Sequence, residues 1–184
     1  MRYIKDSEAQ GLKAYFDKCL ELARNSDCKE AQYGAIIVKD GKVIGEGYNH
    51  VPDELREKYD CDRCPRRNAD LHKGIGLELC ISTHAEEAAV QDMMIKRQYK
   101  KEESENAQMV IGKMKNGNSD ILQPKIKLYC TKCAGKIAKE TMIKEVIFLT
   151  SDGYVAIDSI EFLTASIKGL EDNWRERFSK EMGI

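Results

Sequence analysis

The residues best suited to chemistry are a histidine, a glutamate and two cysteines in two short stretches. His84 and Glu86 lie in the first stretch, and Cys130 and Cys133 lie in the second. Imidazole and thiolate are the ligands that Zn²⁺ prefers, and a catalytic zinc binds three protein ligands and keeps one position open for water. His84, Cys130 and Cys133 supply that number. Glu86 is too close to His84 to be a fourth ligand, so we predict that it moves protons as a general acid and base.

The two thiolates would make the metal a weaker Lewis acid than three neutral imidazoles would, because they neutralise the charge of Zn²⁺. A carboxylate that accepts a proton from water is then useful, and Glu86 fits that role. Two alternatives remain open. The cluster could be a closed structural zinc site with a loop cysteine as fourth ligand, or Cys130 and Cys133 could be a redox pair. A closed structural zinc site would not need Glu86, and a redox pair would not need His84, so we favour a catalytic zinc.

Both stretches are predicted to begin helices. Thr83 and Glu86 have the spacing of a capping box, and the helix that follows should run to about Tyr99. Cys130 should open another helix. Cysteines three apart in a first helical turn are neighbours, and a helix N-terminus favours thiolates. Two such helix starts at the same edge of a sheet would complete the site.

The remaining elements predict an α/β fold. The spacing of apolar residues indicates a helix from Ser7 to about Asn25, five strands, and one or two helices from about 158 to 182. Residues 121–129 fit either a loop or a short strand. The predicted strands are 33–38, 43–49, 107–112, 145–149 and 154–157. This order predicts a three-layer α-β-α sandwich with a mixed, mostly five-stranded central sheet and parallel pairing in its later half.

The connection at about residues 50–83 is long and rich in cysteine. Cys61 and Cys64 have the spacing of a zinc knuckle, and Cys80 and His72 could complete a second, structural zinc site. The alternative is that these cysteines are free thiols. Three arginines in the same connection could bind phosphate through forked hydrogen bonds or could simply face water. They are Arg63, Arg66 and Arg67.

Glycines inside strands mark places where another group approaches the backbone closely. Gly34, Gly45 and Gly47 are such positions, and the alternative for the last two is a β-bulge. Asn49 ends the second predicted strand with a polar side chain, so we predict a ligand contact there.

Length, charge and cysteine content limit the classes of protein to which this chain can belong. The 184 residues suit one domain, 1–184, with an insertion at about 50–83 and a helical tail at about 158–184. Lys and Arg number 30 against 31 Asp and Glu, so charge gives no reason to expect nucleic acid or a membrane as partner. The first residues carry no apolar signal region, which favours the cytoplasm. Seven cysteines, an odd number, favour metal ligands or free thiols over a disulfide framework.

The sequence resembles the zinc-dependent cytidine deaminase superfamily over about residues 7–150. The segments that carry the resemblance most specifically are His84-Ala85-Glu86 and Cys130-Thr131-Lys132-Cys133-Ala134. Within the superfamily it looks most like the deoxycytidylate deaminase branch. Gly47-Tyr48-Asn49 and Cys64-Pro65-Arg66-Arg67 followed by Cys80 resemble that branch. Tyr129 departs from the pattern, which usually has proline before the first cysteine.

This resemblance implies a cytidine deaminase-like fold and the hydrolysis of deoxycytidylate to deoxyuridylate with release of ammonia. Water activated by Zn²⁺ would attack C4 of the base, and Glu86 would carry protons to N3 and to the leaving amine. Asn49 would hold the sugar, Ala85 would contact the base through its backbone, and Tyr154 would contact the sugar or phosphate. We add Gly34 and Arg66 as substrate contacts. The resemblance also implies a small-molecule nucleotide substrate and a homo-oligomer.

Two other functions remain open. The first is deamination of a different amine-bearing substrate, such as cytidine, a guanine- or pterin-type heterocycle, or a tRNA base. The second is a zinc-braced nucleotide-binding module without catalysis, which would not need the carboxylate of Glu86.

Overall fold

The computed structural model describes residues 1–69, 76–115, 118–119 and 130–182. The strands are β1 Arg2–Tyr3, β2 Gln32–Lys39, β3 Lys42–Tyr48, β4 Gln108–Lys115, β5 Asn118–Ser119, β6 Glu145–Thr150 and β7 Gly153–Asp158. The α-helices are α1 Asp6–Ala9, α2 Leu12–Ala23, α3 Pro65–Asn68, α4 Ala85–Gln91, α5 Thr131–Glu140 and α6 Ser159–Met182. Within these ranges no helix combines the length and the apolar character that crossing a bilayer requires.

All seven strands belong to one mixed sheet. Six of them follow the order β1-β7-β6-β4-β2-β3, and β5 pairs with β4. The five long strands are those predicted from the sequence, and the two additional strands have two residues each. Among the described strands, the parallel pair is β4 with β6, which α5 connects. The prediction of parallel pairing in the later half is confirmed for β4 and β6 but was wrong for β7, because a tight turn joins β7 to β6 as an antiparallel hairpin.

Helices cover both faces of the sheet, as predicted. Alternate residues of a strand point to opposite faces, and β2 illustrates this. Ala35 and Ile37 belong to the core cluster that also contains residues of α4, α5 and α6. Ile36 and Val38 belong to the cluster formed with α2. The fold is therefore a three-layer α-β-α sandwich.

The strand glycines are places of close approach, and helices make the approach. A Cβ atom at Gly34 would lie 2.0 Å from the carbonyl oxygen of Cys19 in α2. A Cβ atom at Gly47 would lie 2.5 Å from the backbone nitrogen of Ala89 in α4. A register shift in the β2–β3 ladder also puts an irregularity opposite Gly45. Small residues in β3 thus let α4 lie directly on the strand.

Two helices differ from their predicted extents. The first breaks at Gly11 into α1 and α2, since glycine weakens a helix. The second is α-helical only to Gln91 and continues as a π-helical turn over Asp92–Lys96. The predicted apolar stripe of α2 is confirmed by its buried residues Leu12, Phe16, Cys19 and Ala23. The ambiguous residues 121–129 lie outside the described part of the chain.

Candidate metal centre

The three predicted zinc ligands lie at the starts of two helices. His84 is the N-cap residue of α4 and has extended backbone angles. Cys130 is the N-cap of α5, and Cys133 lies in its first turn. α5 connects β4 to the parallel strand β6, and α4 precedes β4 in the chain. Both helices therefore begin at the edge of the sheet where the C-terminal end of β4 lies. The fold therefore brings together ligands that are 46 and 49 residues apart.

The donor atoms form a compact triangle. Nδ1 of His84 lies 3.1 Å from Sγ of Cys133 and 3.3 Å from Sγ of Cys130, and the two sulfurs are 2.9 Å apart. In the described ranges this is the one group of three or more His, Cys, Asp or Glu residues whose donor atoms all lie within 4.8 Å. A tetrahedral zinc with bonds of about 2.0–2.3 Å separates its ligand atoms by roughly 3.4–3.8 Å. The three residues fit this ion after small outward side-chain movements.

The electrostatics of the triangle favour a positive ion. The hydrogen bond from Cys133 and the neighbouring imidazole outweigh burial and lower the pKa of Cys130 to about 4. Burial alone would lower the pKa of His84, but the thiols of Cys130 and Cys80 raise it to about 11. The hydrogen bond with Cys130 and burial raise the pKa of Cys133. Without metal, the centre thus holds protons that a zinc ion would displace.

Glu86 is the second residue of α4 and is only partly exposed. Burial raises the pKa of its carboxyl, and the negative charge of Cys130 adds to that effect. A raised pKa makes the carboxyl hold a proton more readily, which suits a group that accepts a proton and later releases it. The site therefore has a buried titratable carboxyl beside the three candidate metal ligands.

An ion pair joins the two motif segments, and the sequence analysis missed it. Nζ of Lys132 lies 3.0 Å from Oε2 of Glu87, although the contact lacks the geometry of a directed hydrogen bond. The Glu87 side chain is 14% exposed, whereas that of Lys132 is 64% exposed. Opposite charges inside both motifs were the available signal. The pair links the first turn of α4 to the first turn of α5.

Two predicted substrate contacts lie close to the start of α4, and a third lies beside α2. Asn49 is buried, and its amide accepts a hydrogen bond from the Tyr33 backbone at 2.7 Å and donates one to the Ala31 carbonyl at 2.9 Å. The next residue, His50, pairs with Thr83, directly before His84. Ala85 is the fully buried first residue of α4. Gly34 lies in β2, and α2 fills the space beside it.

The other predicted contacts are more scattered. Tyr154 packs edge-on against Phe16 with ring centroids 6.3 Å apart, on the face of the sheet that α2 covers. The structure therefore does not bring Tyr154 to the metal centre. Arg66 lies in α3, and its charge acts on the thiol of Cys80. His72 lies outside the described residues.

Cys61, Cys64 and Cys80, the cysteines of the predicted second zinc site, are all partly buried. The Cys80 thiol is also close enough to His84 to raise the pKa of the imidazole. The sequence analysis missed Cys28, which interacts electrostatically with Cys61 and Cys80. Its position in the chain gives no metal-binding spacing, so only the fold could indicate it.

Comparisons with known proteins agree with this geometry. The family model for the cytidine and deoxycytidylate deaminase zinc-binding region matches residues 9–150. The deoxycytidylate deaminase of Schizosaccharomyces pombe is 31% identical over 141 residues, which cover 75% of this chain and 37% of that protein. The deoxycytidylate deaminase of Mycobacterium phage D29 is 37% identical over 73 residues, or 37% of this chain and 55% of that protein. The matched region thus spans about a third to a half of the length of these two curated relatives.

A solved structure has the same fold. Cytidine deaminase from Burkholderia pseudomallei is 14% identical and superposes with a TM-score of 0.50, covering 82% of this chain and 94% of that chain. The family match covers most of the chain and includes all three ligands and Glu86. The chain therefore belongs to the cytidine and deoxycytidylate deaminase family, with Zn²⁺ as its metal and His84, Cys130 and Cys133 as the cluster suited to hold it.

Proposed function

We propose that the protein hydrolyses deoxycytidylate to deoxyuridylate and ammonia. The observation that carries this proposal is the carboxyl of Glu86, whose pKa burial raises, beside a His-Cys-Cys cluster. A site that only held zinc or nucleotide would not require a proton carrier there. The relatives named as deoxycytidylate deaminases support the choice of substrate.

The proposed reaction replaces the 4-amino group of cytosine by oxygen from water. When bound, zinc supplies a Lewis acid that lowers the pKa of water. Glu86 accepts a proton from that water and delivers it to N3 of the ring. The oxygen bonds to C4, and Glu86 takes the second proton from that oxygen and transfers it to the amino nitrogen. The C4–N bond then breaks, ammonia leaves, and the ring is left as uracil.

Other residues of this chain are proposed to hold the substrate. Asn49 keeps one side-chain N–H that its two backbone hydrogen bonds do not use, and it directly precedes His50, which is bridged to Thr83. We propose that this N–H contacts the sugar and that the backbone of Ala85 contacts the base. Arg66 is our proposed phosphate contact, because its charge acts on Cys80, which neighbours His84.

The proposal is tested with purified protein and a panel of cytosine nucleosides and nucleotides, following loss of cytosine absorbance and release of ammonia. We expect turnover of deoxycytidylate in preference to cytidine, deoxycytidine and the triphosphate. Preference for another member of the panel would contradict the substrate, and no turnover of any member would contradict the activity.

Substituting Glu86 tests the mechanism. Glu86→Gln keeps the size of the side chain but removes the proton carrier, so we expect kcat to fall by at least ~10²-fold. Bound zinc, measured by elemental analysis, should stay at the wild-type level because Glu86 is not a ligand. Substantial activity in this variant would refute the proposed proton transfer.

A further inference from the structure

The ion pair between Lys132 and Glu87 lies among the residues of the metal centre. Glu87 directly follows Glu86 in α4, and Lys132 lies between Cys130 and Cys133 at the start of α5. Nζ of Lys132 is 3.0 Å from Oε2 of Glu87. The pair therefore connects the first turns of the two helices that present the candidate ligands, directly beside those ligands.

The carboxylate of Glu87 needs an opposite charge beside it. Its side chain is largely buried, and Oε2 is fully buried and accepts no hydrogen bond from the described residues. A buried charge is costly unless an opposite charge compensates it, and the ammonium of Lys132 supplies that charge. Because Lys132 itself is mostly exposed, its ammonium can follow the carboxylate only as far as the two helices stay aligned.

The apolar contacts between the two helices are less specific in position. α4 and α5 contact each other, and both contribute to one buried core cluster. Their residues in that cluster include Ala85, Ala89, Ala134 and Ile137. The burial of apolar surface is a non-directional force that scales with area. Such packing holds the helices together, whereas an ion pair is strongest at one separation and so favours one alignment of the helix starts.

We propose that Lys132 and Glu87 form a positioning pair, which holds the starts of α4 and α5 in the alignment that brings the His84 imidazole to the two cysteine sulfurs. The donor atoms of these ligands are 2.9–3.3 Å apart. Ligand distances in metal sites vary by only about 0.2 Å, so a small shift of α4 against α5 weakens the grip on the ion. The effect of the pair on turnover rests on the proposed function, but its effect on zinc binding does not.

A purely electrostatic role for the two residues makes a different prediction. Removing the positive charge of Lys132 would make the site more negative and would strengthen Zn²⁺ binding, whereas removing the negative charge of Glu87 would weaken it. A positioning role predicts that both changes weaken zinc binding, because either one breaks the pair. The direction of the change in Lys132→Ala therefore separates the two roles.

Zinc affinity, measured by competition with a fluorescent chelator, tests the proposal in Lys132→Ala and Glu87→Gln. We expect each to bind zinc about 10-fold more weakly, the lower end of the effect of losing a residue that orients a metal ligand. Lys132→Arg keeps the charge and should bind nearly as wild type does. Lys136→Ala is the matched control, since Lys136 pairs with Glu140 inside α5 at 2.9 Å; its zinc affinity should be unchanged. Tighter binding in Lys132→Ala, or an unchanged affinity in both test variants, would overturn the proposal.

Turnover at saturating zinc gives a second readout. Lys132→Ala should lower kcat for deoxycytidylate severalfold and leave KM within about twofold, because a shift of the helix starts misaligns Glu86 and the ligands without removing a nucleotide contact. Lys132→Arg should restore kcat. A raised KM at unchanged kcat would overturn the positioning role and assign Lys132 to the nucleotide instead. If the wild type turned over no cytosine compound, the proposed function would fail, and the zinc affinities would still decide whether the pair positions the ligands.

Discussion

The Lys132–Glu87 ion pair joins the two motif segments in addition to the contacts among His84, Cys130 and Cys133. Glu87 is largely buried, so removing its partner leaves a carboxylate with poor solvation near the sulfurs. Because Lys132 is mostly exposed, we expect Lys132→Ala to lower the free energy of unfolding by only about 1 kcal/mol. Chemical denaturation measures this change.

A double-mutant cycle separates the pair from other effects of Lys132. In a Glu87→Gln background, Lys132→Ala should cost much less than it does alone, because no charge is left unpaired. Lys13→Ala is the control, since Lys13 pairs with Asp17 on an exposed face of α2. Its effect should stay below about 0.5 kcal/mol. Equal costs of Lys132→Ala in both backgrounds would show that the pair does not contribute.

Among the elements, the packing of α4 on β3 depends on Gly47. A Cβ atom there would lie 2.5 Å from the Ala89 nitrogen and 2.6 Å from the Ala88 Cβ. We expect Gly47→Ala to destabilise the protein by about 1–3 kcal/mol, because the helix that carries His84 must shift. Thermal unfolding measures the loss, and zinc affinity should fall with it.

Gly135→Ala is the matched control. Gly135 is inside α5, and a Cβ built there meets no described atom within 4 Å beyond its chain neighbours and the nearby backbone of the helix. Alanine should raise stability there by roughly 0.5–1 kcal/mol, since glycine weakens helices. If Gly47→Ala were as stable as wild type, the close approach of α4 would not limit this position.

The contact between β1 and β6 should make stability depend on pH. Burial raises the pKa of Glu145, but hydrogen bonds from Arg2 and Gln108 lower it further than burial raises it. The folded state thus has the lower pKa, so the carboxylate stabilises the fold above the unfolded pKa of about 4.3. This contribution disappears as the pH falls through the folded pKa.

We therefore expect Glu145→Gln to destabilise the protein by about 1 kcal/mol at pH 7 and much less at pH 3. Urea denaturation of both proteins at the two pH values measures this difference. Glu8→Gln serves as a control, because Glu8 is the exposed partner of Arg2 and should contribute less. The same loss at both pH values would mean that the charge of Glu145 is not involved.

At the scale of helices and strands, sequence patterns predicted the features that depend only on residues close together in the chain. Apolar runs located the five long strands, and the stripe of α2 located its buried face. The pairing of β7 was missed because a following strand without a crossover helix returns antiparallel. The candidate cluster of His84, Cys130 and Cys133 was predictable because the spacing within each motif is local. The electrostatic interaction of Cys28 with Cys61 and Cys80 was not predictable, because it arises only through the fold.

Across the whole molecule, β4 holds the central position. It pairs with β2 on one side and with β6 on the other. β2 and β3 form a local hairpin, whereas the β2–β4 and β4–β6 pairs join distant parts of the chain. Both metal-binding helices are connected to β4. The geometry of the centre therefore depends on the sheet being assembled around this strand.

The position of β4 has a consequence for the order of folding. Ligands 46 and 49 residues apart meet only after β4 lies between β2 and β6, so we expect the metal contacts to form after the transition state. Interactions that are absent from the transition state slow unfolding and leave the folding rate unchanged. Removing zinc should then raise the unfolding rate severalfold with little effect on refolding.

Stopped-flow measurements in denaturant, with and without a chelator, give both rates. Cys133→Ser without added metal should unfold as fast as the chelated wild type. A chelator that slowed refolding instead would mean that zinc organises the chain before β4 is in place. Under the expected behaviour, the lifetime of the native state depends on the metal, whereas the speed of its formation depends on the sheet.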